Sequence, residues 1–575
     1  MLILVKENKG AELMKHEENL NIDFAVDLLY PSQEKKDRLK KRRAKLYDLP
    51  QGYIRNLELE KLASLISPYN NHYTVNLFTE LCDDIDVINF RLDILDDFMA
   101  VPKLAPTVKK IIDIMVESDR KNIYDLNEPD SFEKLDDGIT AFDGYVECLE
   151  IMHSFYEKNR DKLHSLGVNR MFRFFEEQYN DKHYIKLKEE LAELKEALKK
   201  GIKSVTVAVN LDERMIPVSA GIIEQSHEPY TLKPSIFDRI IYHGAYFGSH
   251  QVKELHQRFL ASEVTKDRIV NTVDESLFKE LSYLTDKYVD MIDDVLRQYQ
   301  KIGFRDMYSI NYQLEFYLGA VNLIELAKSS GLNMCRPRFA PDSERKAVMT
   351  GLYDMIYFSE CRLWNLKAKE KKTVVTNDIS FDERSRMFIL TGANNGGKTT
   401  FVRAIGIAQI LAQTGLYVPC ESCELSLTDF IYTHFPKEEQ TGIDASKFTT
   451  EIKEFKTISD TITPQSLLLM NESIQSTTPN ECIEVSKELL KIFCMIGVRG
   501  ILATHIVDLA ELIDDINAEP DIASKIDSLV VTVDEATGKR LYKIERGVPA
   551  MTGYASHILE QFGIDPEEIK QRLGK

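Results

Sequence analysis

Between Leu57 and Lys200, apolar residues recur at three- and four-residue spacing with few Gly or Pro between them. That is the period of helices that bury one face. VINFRLDILDDFM is one such stretch, and YIKLKEELAELKEALKK, dense in Leu, Glu and Lys, predicts a long exposed helix. The period then changes. SVTVAVNL, from Ser204 to Leu211, alternates as a strand does, and MIPVSAGIIEQ supplies a partner strand after the DER turn. Helical spacing resumes near Ser249, runs through LFKELSYLTDKYVDMIDDVLRQYQ, and returns in NYQLEFYLGAVNLIELAKSSG, which closes at Gly331. Residues 1–50 are polar and charge-rich and predict an arm or small leading element.

After Pro337 the texture is different. Short apolar runs, MFILTG, SLLLMNE and GILATH, alternate with helical stretches. Their length and composition predict buried parallel strands joined by helical crossovers. The expected fold class is therefore multidomain α+β: a mostly α region over 51–330, with a small β insert near 204–225, followed by an α/β domain over 331–575. A chain of 575 residues is too long for one core in any case.

Net charge and cysteine content narrow the function classes. The charge is −19, with a pI near 5.3, which does not favour nucleic acid, although a basic face can sit on an acidic body. Two basic runs stand out, Lys35 to Lys45 and Lys367 to Lys372, and a solvated helix face explains them as well as phosphate contacts do. Eight scattered cysteines make no disulfide framework. Cys420 and Cys423 alone have metal-ligand spacing, and nothing completes a zinc site, so they read as core residues of a reduced protein. No apolar run is long enough to cross a bilayer and the first residues do not resemble a signal peptide, so no membrane partner and a cytoplasmic location are expected.

The chemistry begins at Gly392-Ala-Asn394-Asn-Gly396-Gly397-Lys398-Thr399-Thr400. It satisfies GxxxxGK[ST], directly after the strand MFILT and at the start of a helix. Glycines let backbone N–H groups converge on phosphates, and the helix end adds its positive dipole. Lys398 is expected to reach the β- and γ-phosphates of ATP, and the Thr399 hydroxyl to ligate Mg²⁺. LLLMNE places Asn471 and Glu472 at a strand exit, where an Asp-Glu pair usually holds magnesium and activates water. Asn471 accepts a hydrogen bond from a metal-bound water without the charge that strengthens it. Glu472 is the candidate general base. His505, closing the strand GILATH, is placed to face the γ-phosphate.

Taken together, these segments resemble the ATPase domain of the MutS family of mismatch-repair proteins. Asn377-Asp378 resembles that family's Pro-Asn-Asp element, TGANNGGKTT its TGPNMGGKST, QTGLYVP its Q-x-G-x-[FY]-V-P, SKFTTE its S-T-F-x-x-E, and ATH its ATH, an ordered set from about Val374 to Ile564. The resemblance implies an ABC-like P-loop ATPase domain and a nucleotide-contacting Asn377. It also implies a dimer, expected to be a homodimer, with two composite ATP sites in which Ser446 reaches the partner's nucleotide. The tail from Gly553 resembles the segment that clasps the partner. DVINFRLDILDDF and the helix ending near Gly331 resemble the lever and core domains.

The departures are specific. The family's DEIGRGTS is NESIQSTT here, which loses its Gly-Arg-Gly turn. Val374 stands where an adenine-stacking aromatic is common. No mismatch-recognition domain with a Phe-x-Glu wedge has a counterpart, residues 200–260 leave little room for a DNA clamp, and no Smr-type nuclease tail follows Lys575. The expectation is an ATP-driven dimeric switch acting on mismatched, branched or damaged DNA in repair or recombination. A MutS-derived ATPase that remodels a cytosolic protein partner stays open as the alternative.

Overall fold

The computed structural model describes residues 26–119, 132–200, 203–214, 217–229, 310–368, 370–392, 396–435, 447–474, 476–534 and 540–548. The helices expected between Ser249 and Gln300, the residues Asn394 and Ser446, and the tail from Gly553 lie outside them.

In chain order, the helical part holds α1 (Gln33–Leu46), α2 (Gly52–Asn56), α3 (Leu59–Ile66), α4 (Asn71–Glu80), α5 (Ile85–Ala100), α6 (Leu104–Asp119), α7 (Phe132–Asn159), α8 (Leu166–Tyr179) and α9 (Lys182–Lys199). A hairpin of β1 (Ser204–Leu211) and β2 (Pro217–Ser226) follows, then α10 (Asn311–Ser329). The α/β part contains β3 (Arg338–Phe339), β4 (Ala347–Leu352), α11 (Met355–Lys367), β5 (Asn377–Phe381), β6 (Met387–Thr391), α12 (Lys398–Thr414), β7 (Ser422–Leu425) and β8 (Ile431–His434). It continues with α13 (Lys447–Thr461), β9 (Leu467–Asn471), α14 (Pro479–Ile496), β10 (Arg499–Thr504), α15 (Ile513–Asn517), β11 (Ile526–Val533) and β12 (Arg540–Arg546).

Packing divides the chain into two units that are not consecutive in sequence. One takes residues 1–112, 154–174 and 306–575; the other takes 113–153 and 175–305. The second unit carries the antiparallel β1–β2 hairpin, whose register runs from Ser204 opposite Ser226 to Leu211 opposite Pro217. Alternation along SVTVAVNL predicts this pairing.

The first unit is organised by a six-stranded sheet in the order β12-β11-β6-β10-β9-β8. β8, β9, β10, β6 and β11 run parallel, and β12 closes one edge antiparallel. All five residues of β6, all five of β9 and all six of β10 are buried, as strands covered on both faces must be. A second sheet, β3-β7-β4-β5, stands beside it. Cys420 and Cys423 are buried there.

The boundary expected near residue 330 is not a boundary in space. Helices from the first hundred residues pack against the parallel sheet's own helix α12. Leu57 and Leu469 sit so close to Gly406 of α12 that a Cβ there would lie 2.7 Å from the Leu57 side chain. Arg91 of α5 is fully buried and reaches three separate segments: Nε donates to the Leu29 carbonyl (2.9 Å), Nη1 to that of Thr414 (3.3 Å), and Nη2 to Glu80 Oε1 (2.8 Å). A buried charge is tolerated when satisfied in this way.

Nor are residues 26–50 a free arm. Val26, Leu28 and Leu29 are buried, Leu28 N donates to Gln313 Oε1 of α10 (2.6 Å), and Tyr317 of the same helix donates to Leu28 O (2.7 Å). Part of the basic run on α1 is paired with carboxylates: Lys35 with Asp84 and Asp86, Lys36 with Asp27, Arg38 with Asp83 and Asp84, and Arg42 with Asp83. Lys40, Lys41 and Lys45 remain exposed.

A part-buried ion cluster links the two sequence halves directly. Arg403, one turn into α12 from Thr399, donates Nε to Asp354 Oδ2 (2.6 Å) and Nη1 to Glu58 Oε1. Asp354 also caps α11, its Oδ1 accepting from Ile356 N and Tyr357 N. Burial raises the Asp354 carboxyl above its ordinary range, against the lowering pull of Arg403.

Candidate functional site

Three neighbouring parallel strands deliver the motif residues to one edge. Thr391 of β6 lies level with Thr504 of β10, and Asn471 of β9 lies level with Ala503. The carboxyl edge of such a sheet is where open α/β folds bind ligands.

After β6 the chain turns on glycine. Gly392 has φ 151°, and a Cβ there would sit 2.8 Å from Val531 Cβ of β11. Gly397 has φ 91° and is the N-cap of α12, with no side-chain hydrogen bond to the helix end. The first-turn N–H groups of α12 are thus left without a side-chain cap, at the mouth of a cleft of about 1040 Å³ lined by Gly396, Gly397, Lys398, Thr399 and Thr400. An uncapped helix end opening into a cleft has the geometry that suits an anion.

The motif side chains form two adjacent sets of contacts. Buried Lys398 donates from Nζ to the Gly392 carbonyl (2.7 Å) and lies 3.3 Å from Glu472 Oε1. Thr399 Oγ1 donates to Asn471 Oδ1 (3.0 Å). His505 is half exposed, and its Nδ1 lies 2.8 Å from Glu472 Oε2. Glu472 therefore stands between a lysine and a histidine, and its backbone N extends the ladder to the Ala503 carbonyl (2.8 Å).

Asn377 opens β5 and also lines the cleft. Its side chain is occupied with backbone: Nδ2 donates to the Tyr542 carbonyl (3.1 Å), and Oδ1 accepts from Ile544 N (2.8 Å). It thereby fixes β12 against β5.

Other cleft residues do not follow from motif reading. Tyr357 on α11, Tyr542 on β12 and Asp354 line the cleft too. Tyr542 takes a left-handed φ of 57°. Val374 lines the same cleft. Lys371 and Lys372, from the second basic run, also line the cleft, and Lys372 Nζ sits 4.1 Å above the Trp364 ring. An N-cap Asp before MIYF and a basic run were the available signals for two of these; Tyr542 left none, because its place depends on the β11–β12 pairing.

A parallel sheet with a glycine turn and an uncapped helix at its carboxyl edge places this chain in the P-loop class of α/β folds. Family comparison narrows the class. The model described as MutS domain V matches residues 388–571, and the MutS2 N-terminal domain matches 83–329. The chain is a MutS-related protein.

Similar proteins include the DNA mismatch repair protein MutS of Thermosipho melanesiensis, 25% identical over 332 residues, which is 56% of this chain and 35% of that one. DNA mismatch repair protein MSH6 of Saccharomyces cerevisiae is 32% identical over 245 residues, 42% of this chain and 19% of its own length. Endonuclease MutS2 of Thermus thermophilus is 27% identical over 257 residues, 44% and 31% of the two chains. The aligned regions thus span about a third or less of these relatives. No helix among the described residues is long and apolar enough to cross a membrane.

Proposed function

We propose that this chain is a MutS-type ATPase that works as a dimer and couples ATP hydrolysis to a DNA structure. The observation that carries the reading is the connected set Lys398–Glu472–His505 beside Thr399–Asn471, gathered at an uncapped helix end.

These residues fit ATP. The helix end and Gly397 would hold phosphate oxygens, Lys398 would exchange its Gly392 and Glu472 contacts for the β- and γ-phosphates, and Tyr357 and Tyr542 would flank the base. Thr399 Oγ1 and Asn471 Oδ1 are hard oxygen donors suited to magnesium, with Thr399 as ligand and Asn471 holding a metal-bound water. When bound, the ion neutralises charge on the phosphates.

The chain's own residues supply the rest. Once Lys398 turns to phosphate, Glu472 is free to accept a proton from water, and His505 orients its second oxygen by donating from Nδ1. Asn471, being neutral, makes turnover slow. The partner subunit completes each site through the segment containing Ser446. DNA is the substrate class because the relatives carry mismatch-repair names; a branched or damaged duplex fits better than a mismatch read by a wedge.

Steady-state ATP hydrolysis tests the reading, alone and with mismatched, branched and single-stranded DNA at physiological salt. Lys398→Ala should reduce the rate by roughly a hundredfold or more, and one DNA form should stimulate the wild type. An unchanged rate in Lys398→Ala overturns the site. A rate indifferent to every DNA overturns the DNA coupling and directs attention to a protein partner.

A further inference from the structure

The exit of β9 carries a backbone that its residues do not favour. Glu472 has φ 47° and Ile474 φ 58°, both left-handed. A side chain is disfavoured in that region, and a β-branched residue there is a genuine outlier. Ile474 is also 1% exposed, so it is held in place by its surroundings. Such strain persists only where neighbouring groups over-determine it.

Ser473, between these two residues, shows what does so. It is buried, and its hydroxyl donates to the His434 carbonyl (3.1 Å) at the end of β8. Having spent its proton there, the same oxygen accepts from His434 Nδ1 (2.9 Å). One hydroxyl thus ties both ends of the last β8 residue to the β9 exit. The other face of His434 looks to α13. Nε2 lies 3.3 Å from Glu454 Oε2, and the imidazole packs on Phe455 with ring centroids 4.4 Å apart. His434 is nearly buried and Phe455 fully so.

We infer that Ser473 and His434 are positioning residues that tether the left-handed exit carrying Glu472 to α13, so that displacement of α13 moves the carboxylate. α13 begins at Lys447, the residue after Ser446 in sequence. The inference rests on the proposed catalytic role of Glu472 only for its effect on rate; the tether itself is a property of the nucleotide-free protein.

Two measurements separate these parts. Amide hydrogen exchange in nucleotide-free protein, comparing wild type with Ser473→Ala and His434→Phe, reads the tether; the phenyl ring keeps the packing on Phe455. Loss of a buried hydrogen bond should speed exchange about tenfold over residues 471–474 and across α13, with α12 unchanged. Unchanged exchange over 471–474 overturns the tether, as does acceleration spread evenly over the first unit, which marks general loosening.

The second measurement is ATP hydrolysis by the same variants. kcat should fall about tenfold with KM for ATP unchanged, and Ser473→Thr, which retains the hydroxyl, should keep both values near wild type. A raised KM with unchanged kcat overturns the positioning role. If wild type and Lys398→Ala do not differ in hydrolysis, the ATPase reading fails, and exchange alone then decides the tether.

Discussion

Two turns at the same sheet edge do neighbouring jobs with opposite materials. After β6 the chain turns on Gly392 and Gly397, which take positive φ freely and leave backbone N–H groups open to the cleft. After β9 it turns on Glu472 and Ile474, which take positive φ at a cost and are held there by Ser473 and His434. A turn meant to wrap an anion needs bare backbone. A turn meant to aim one carboxylate needs a side chain where a glycine would be easier, and so needs a clamp. The first kind of turn is self-sufficient, whereas the second depends on its neighbours.

The comparison can be broken most severely at Glu472. Glu472→Gln keeps shape and removes the proton acceptor, so kcat should fall by roughly a hundredfold or more while nucleotide binding, followed by fluorescence titration, stays within a few fold. Loss of binding instead would mean that Glu472 shapes the cleft rather than acting on water.

A smaller effect is expected on the glycine side. Gly397→Ala places a Cβ at φ 91°, about 3.5 Å from the Tyr542 ring. Left-handed strain of roughly 1–2 kcal/mol should weaken nucleotide affinity about tenfold, read as Kd, with thermal stability lowered by a few degrees at most. Affinity equal to wild type would show that this turn is less dependent on glycine than its backbone indicates.

The mildest probe adds charge between the two turns. Asn471→Asp puts a carboxylate 3.0 Å from Thr399 Oγ1. It should raise turnover several-fold and lower the magnesium concentration needed for half-maximal rate, since ionised acceptors bind more strongly than neutral ones. An unchanged or lower rate would mean that the amide is not what limits this site.

What could be read from sequence divides along the same line. The parallel strands β6, β9 and β10, helix α12, the hairpin at 204–226 and helix α10 follow from local period and composition, because burial on one or two faces imprints itself on consecutive residues. Lys398, Thr399, Asn471, Glu472 and His505 follow from motif spacing, and the structure brings these five together. Pairings across long separations leave no period. Lys35 with Asp84, Glu58 with Arg403, and His434 with Ser473 each join residues that look like ordinary surface polar positions in the chain. The small second sheet escaped for another reason: β3 has two residues and β7 four, too few for alternation to register. The leading segment reads as an arm or small leading element because it is polar and charge-rich, yet buried Val26, Leu28, Leu29 and Leu39 are enough to dock it.

Arg403 gives this arrangement a last consequence. It reaches back from the nucleotide helix to Asp354 and to Glu58, while Leu57 fills the space beside Gly406. A fragment starting near residue 331 would keep every motif residue and lose Leu57, Glu58 and Arg91, which pack on or bond to α12 and its end. It would expose an apolar groove and leave a cation short of one carboxylate. The cleft is therefore not a detachable cassette: a cut of the chain there would carry away the letters of the motif without the scaffold that gives them their shape.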